Sequence, residues 1–158
     1  MRLEPYSPRH LDAVIRLSLR AWTPVFESIQ RAMDVDVYRA LLPDWRVSQH
    51  KAVEGVCAAE DTRVWVAIEA GAPVGFVAVK LHAEMRVGEL SMIAVDPDRQ
   101  RQGIGAALTA FALEWMQAAG MSVAMVETGG DPGHAPARRL YERLGFGRFP
   151  IARYFKKL

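Results

Sequence analysis

Apolar positions along the chain repeat with two different periods, and the change falls near Thr62. Upstream, Leu11, Val14, Ile15 and Trp22 recur at helical spacing, with Ser7 as an N-cap and Pro8 at the first helical position. Thr23–Pro24 repeats that start signal and predicts a second short helix. Residues 36–59 read as helical with an interruption at Pro43, and Leu3 to Tyr6 as a short edge strand. Downstream, "TRVWVAIEAG" alternates as a strand, "AGAP" (Ala70–Pro73) turns, "VGFVAVKLH" returns, and "GELSMIAVD" (Gly88–Asp96) is a third strand. Ile104, Leu108, Phe111 and Trp115 mark a helix stopped by Gly120, and "MSVAMVET" follows as a strand. Ala137, Leu140, Tyr141 and Leu144 mark a last helix ending at Gly145, and "IARYFKKL" reads as a closing strand.

This order predicts an α/β (α+β) fold: a mixed central sheet, antiparallel at first, with helices on its faces. The strand–helix–strand part should be a right-handed crossover with parallel pairing. The 158 residues suit one domain. Twenty basic against 18 acidic residues give a net charge of +2, too balanced for a nucleic-acid partner. Arg138, Arg139 and Arg143 read as a solvated helix face. The single cysteine, Cys57, excludes an intrachain disulfide framework and reads as a structural thiol of a reducing compartment. No apolar run approaches the ~18 residues of a membrane span, and "MRLEPYSPRH" is no signal peptide. The expectation is a cytoplasmic protein with no membrane partner. His10, His50, His82 and His134 show no ligand spacing, so no metal is expected.

The most informative stretch is "VDPDRQRQGIGAAL", Val95 to Leu108. A dinucleotide fingerprint would need a third glycine where Leu108 stands, and a P-loop would need a lysine after Gly105. A different anion turn fits. Val95 ends a strand, Asp96–Pro97 turns, and Gln100 to Gly103 open a helix whose first N–H groups lack internal partners. Gly103 and Gly105 leave room for close approach, and Arg99 and Arg101 add positive charge. The competing reading is a helix start with glycines kept for packing.

Val95, Pro97, Gln100, Gly103 and Gly105 spell V-x-P-x-x-Q-x-x-G-x-G, and "ARRLYERLGF" (Ala137–Phe146) supplies A-x-x-L-Y-x-x-x-G-F. In these two motifs the chain resembles the GCN5-related N-acetyltransferase (GNAT) superfamily, over residues 62–158. The resemblance implies a sheet with splayed parallel strands 4 and 5, and acetyl-CoA as acyl donor. It implies that the backbone of Arg101, Gln102, Gly103, Ile104, Gly105 and Ala106 holds the pyrophosphate. Ile93, Ala94 and Val95 would meet the pantetheine arm, and Gln100 and Ala137 belong to the binding motifs. Many members carry Asn three residues before the alanine of the second motif; here that residue is His134, which can still donate or accept a hydrogen bond. Capping of the following helix is its alternative role.

Acetyl transfer to an amine needs a base, a donor to the thioester carbonyl and a proton for the leaving thiolate. An alkylamine with pKa ~10.4 is neutral in only about one molecule in 10³ near pH 7. Glu89, six residues before Val95, is the first candidate base, a position that a base glutamate holds in histone-acetylating members. Period-two alternation would place Glu89, Ser91, Ile93 and Val95 on one face. Glu127, ending the next strand at the splay, is the rival. The resemblance makes Tyr141 the general acid, and a backbone N–H of Ile93 or Ala94 suits the carbonyl. Residues 1–60 would form the helical acceptor side of a single N-acetyltransferase domain. There Trp22, Phe26, Tyr38 and Trp45, among Asp34, Asp36 and Asp44, suit a cationic amine or form ordinary core. The expected partner is a small-molecule or peptide amine, and the closing strand offers an edge at which a homodimer could pair. The alternative is a non-catalytic acyl-CoA-binding regulatory domain on the same fold.

Overall fold

The computed structural model describes residues 1–158. Strand β1 (Arg2–Pro5) leads through a 3-10 turn, Pro8–His10, into helix α1 (Leu11–Ala32). Helices α2 (Val35–Leu41) and α3 (Trp45–Ala58) follow, then strands β2 (Thr62–Glu69), β3 (Ala72–His82) and β4 (Val87–Val95). Helix α4 (Ile104–Ala118), strand β5 (Val123–Met125) and helix α5 (Ala135–Arg143) complete the fold. The five strands lie in chain order, β1 to β4 antiparallel and β4–β5 parallel.

Alternation along the strands, interrupted by bulges, buries both faces of the sheet. Val64, Val66, Ile68, Phe76 and Ala78 meet Val14, Ile15 and Leu17 of α1 and Val53 of α3 on one side. Trp65, Ala67, Val77 and Val79 meet Ile104, Leu108, Ala112 and Met116 of α4 on the other. The predicted Phe111 and Trp115 both pack edge-on against Trp65.

Several expectations are corrected. Thr23–Pro24 starts no new helix, because α1 continues through Pro24. An interior proline costs ~3 kcal/mol. The apolar stripe from Val14 to Leu17 and the buried Ser28 hold both halves of the helix against the protein, which offsets that cost. The strand expected over residues 121–128 pairs only at Val123–Met125. "IARYFKKL" forms no strand: residues 151–158 are exposed and join no ladder. A strand needs a template, and three residues of β5 offer few ladder bonds. The edge offered to a second copy is therefore not formed by these residues.

Candidate functional site

The anion turn is present, with its helix starting at Ile104 rather than at Gln100. Gln100 to Gly103 form a loop, Gly103 is the N-cap of α4 at φ +84°, and Ile104 begins the helix. Arg101 also has positive φ, +61°. The first helical bond is Ala107 N–H to Gly103 O, 2.9 Å. Six consecutive N–H groups, from Arg101 to Ala106, thus meet no protein acceptor. Left-handed residues at two of these positions bend the backbone into an anion-binding concavity. Gln100 does not point into it; its Nε2 donates to Val95 O at 3.2 Å and ties the loop to the end of β4.

A second clamp went unseen in the sequence. Arg20 of α1 donates to both Asp96 oxygens, at 3.0 and 2.8 Å, and to Asp98 at 2.8 Å. Asp96 in turn accepts from Asp98 N–H at 2.9 Å. These partners lie 76 and 78 residues apart, so spacing gives no sign of them.

Strand β4 carries the next part. Its pairing with β5 ends at Glu89↔Met125, and from Leu90 to Val95 that edge has no strand partner. Pairing with β3 slips by one residue between Met92 and Leu90, leaving Ser91 as a bulge. The bulge overturns the predicted alternation. Leu90, Ile93 and Val95 pack on the α4 side, whereas Met92 and Ala94 pack on the α1 side. Glu89, opposite Lys80, faces the α1 side and not the face of Ile93 and Val95.

The two carboxylates differ sharply. Glu89 is 29% exposed at the apex of the splay, and its Oε2 lies 2.7 Å from His82 Nε2. Glu127 lies two residues past the end of β5, is 54% exposed and pairs with Arg153 at 2.7 Å.

Helix α5 brings Tyr141 into the interior. The residue is only 7% exposed, and burial pushes its phenol up to about 12. Its ring meets Phe146 edge-on at 5.8 Å, and its hydroxyl makes no hydrogen bond within the protein. That hydroxyl is not sealed from solvent either, so it is available to a ligand. Ala137 lies one turn N-terminal to Tyr141. Leu140 packs toward Gly105, which draws α5 against the start of α4.

His134 is the N-cap residue of α5 but caps nothing with its side chain. Its Nδ1 is hydrogen-bonded to Asp131 Oδ1 instead. Asp131 also accepts from Ser28 Oγ at 2.6 Å and from Gly133 N–H at 3.0 Å. Burial alone would raise the Asp131 carboxyl, but hydrogen bonds from Ser28 and His134 outweigh it and hold it below its usual value. The network fastens α1 to the loop before α5. Gly133 is required there, because a Cβ would lie 2.6 Å from Ser28 Cβ.

The acceptor-side aromatics and acids do not form the expected cluster. Phe26 stacks on Trp45 with centroids 4.4 Å apart, and Arg46 of the same chain lies over the Trp45 ring at 4.5 Å. Asp34 and Asp44 cap α2 and α3, each accepting two backbone N–H bonds. Tyr38 is buried, and Trp22 packs on the same apolar cluster as Met92.

A mixed sheet whose parallel pair splays beside an anion-binding helix start is the architecture of the N-acetyltransferase fold. The chain belongs to the acetyltransferase (GNAT) family, whose model matches residues 22–146. Mycothiol acetyltransferase of Streptomyces coelicolor is 41% identical over 76 residues, 48% of this chain and 24% of that protein. That of Amycolatopsis mediterranei is 28% identical over 151 residues, 87% of this chain and 42% of that protein. The chain thus spans well under half the length of these relatives. Among solved structures, an aminoglycoside 6'-N-acetyltransferase from Acinetobacter haemolyticus superposes with a TM-score of 0.70 at 17% identity, covering 100% of this chain and 99% of that one. The ribosomal-protein-S18-alanine N-acetyltransferase of Escherichia coli gives 0.70 at 22% identity, covering 96% and 81%. At these identities the likeness is one of fold. No helix is long and apolar enough to cross a membrane.

Proposed function

We propose that this chain is an acetyl-CoA-dependent N-acetyltransferase of the cytoplasm that acetylates a primary amine of a small molecule or peptide. The observation that carries this reading is the run of six unpartnered N–H groups from Arg101 to Ala106, beside the unpaired edge of β4. The pyrophosphate of acetyl-CoA supplies acceptors for that run, helped by the helix dipole. The pantetheine arm runs along Ile93, Ala94 and Val95, and Ala137 of α5 and His134, the residue before that helix, flank it. Residues 62–158 form this acetyl-CoA core, and residues 1–60 cover the acceptor side.

Glu89, rather than Glu127, takes the proton from the ammonium, because Glu127 is already spent on Arg153 in open solvent. The neutral amine attacks the thioester carbonyl carbon, the C–S bond breaks, and Tyr141 gives its phenolic proton to the departing thiolate. The second amine proton, shed as the amide forms, passes through water to the Tyr141 phenolate, and Glu89 releases its own to solvent. A small polar amine is favoured over a basic protein tail. Asp34 and Asp44 are occupied as helix caps, and similar proteins are named for mycothiol and aminoglycosides.

Calorimetric titration with acetyl-CoA and with S-acetylpantetheine tests the cradle. Loss of the diphosphate, and with it the nucleoside beyond, should weaken binding at least tenfold; equal affinities would refute the assignment.

A further inference from the structure

We infer that His82, at the end of β3, is a positioning residue that holds Glu89 in the orientation a base requires, an inference resting on the reading of Glu89 as the base. In register, the residue directly across from Glu89 is Lys80, not His82. A lysine there would normally clamp the carboxylate and occupy its lone pairs. Asp61 removes it: Lys80 Nζ lies 2.7 Å from Asp61 Oδ2. His82, diagonally across the hairpin on the same face, makes the single hydrogen bond that Glu89 receives.

A carboxylate only accepts, so at 2.7 Å the proton of this contact sits on His82 Nε2. Oε2 is thereby fixed, and Oε1 has no protein partner and is left to receive a proton. The charge directly across, the Lys80 ammonium, is held by Asp61 and acts on Glu89 only through space. Across the apex β5 presents Met125. The buried face of α1 presents Val14, Leu17 and Ser18, while Asp12, Arg16 and Arg20 turn outward. Glu84 and Arg86 in the β3–β4 connection are exposed. One ring N–H therefore sets the orientation of the base, and small misplacements of such a group cost rate steeply.

The test compares His82→Ala, His82→Gln, Glu89→Gln and the Glu89→Gln/His82→Ala double variant in steady-state acetyl transfer. Two acceptors are used: an alkylamine, protonated at neutral pH, and an arylamine, already neutral. His82→Ala should lower kcat for the alkylamine about tenfold with the acetyl-CoA KM unchanged. His82→Gln, which keeps an N–H donor, should recover most of that loss. The deficit should shrink for the arylamine, which has no ammonium proton to lose before attack, and should vanish in the Glu89→Gln background. If Glu89→Gln is impaired but His82→Ala matches wild type, the inference fails and the base assignment stands. A His82→Ala deficit equal for both amines and persisting in the double variant would make the histidine merely structural. Wild-type rates from Glu89→Gln would overturn the base assignment and this inference with it.

Discussion

Tyr141→Phe removes one oxygen from a residue that is 7% exposed and whose hydroxyl holds no protein partner. The ring and its edge contact with Phe146 stay, so the fold should lose less than ~0.5 kcal/mol. The chemistry should lose far more. Burial pushes the phenol up to about 12, whereas a thiol of the leaving-group kind lies near ~8.5. The gap of roughly 3.5 units is about 4.8 kcal/mol, too much to spend before departure begins. Proton transfer must then accompany C–S cleavage. A positioned acid contributes about 10²–10⁴-fold, and the mismatch places Tyr141 near the lower end. The expected result is a drop in kcat of about 10²-fold, read as thiol release from acetyl-CoA at saturating amine. Acetyl-CoA affinity and melting temperature should hold. A rate within twofold of wild type would refute the acid assignment. The raised value has a consequence for pH: the acid form persists well beyond the ordinary tyrosine range. Loss of kcat with a midpoint near ~10 would contradict a buried Tyr141 acting as the acid.

Arg20→Ala should release the Asp96–Asp98 turn and raise the acetyl-CoA KM several-fold with kcat little changed, measured by initial rates. Gly103→Ala forces a side chain into φ +84°, a strain of ~1–2 kcal/mol, and should weaken acetyl-CoA binding by calorimetry while Gly147→Ala does not. Ser28→Ala removes a hydrogen bond to Asp131 and one from Gly133, and should cost about 1–3 kcal/mol in urea unfolding. Because the Asp131 carboxyl is lowered on folding, its stabilisation is complete above the ordinary carboxylate value and is lost as pH falls through the lower one. Ser28→Ala should therefore move the acid-unfolding midpoint upward, followed by circular dichroism.

What the sequence disclosed was local. The glycine turn, the strands at Thr62–Glu69 and Ala72–His82 and the stripe from Ala137 to Leu144 are signals written over a dozen residues or fewer, and each appears in place, whereas the strand expected over residues 151–158 does not form. What escaped was long-range or subtractive. Ser91 is unremarkable in sequence, yet its bulge decides that Glu89 faces away from Ile93 and Val95. Asp34 and Asp44 read as charge suited to a cation, but Oδ1 of each is bound to the N–H groups of the helix it caps. His134 was legible as a substitution within a motif; that Asp131 and Ser28 hold it was not, since Ser28 lies 103 residues from Asp131. Pro24 carried a valid break signal that packing on both sides of it overrode.

The proposed activity is acetyl transfer from acetyl-CoA to an amine at this cleft. Its most direct test is thiol release from acetyl-CoA across a panel of primary amines, with the N-acetyl product identified by mass. Release should run in step with product, occur only with an acceptor present, and fall strongly in Tyr141→Phe. Tight acetyl-CoA binding without turnover on any amine would contradict it and identify an acyl-CoA-binding module instead.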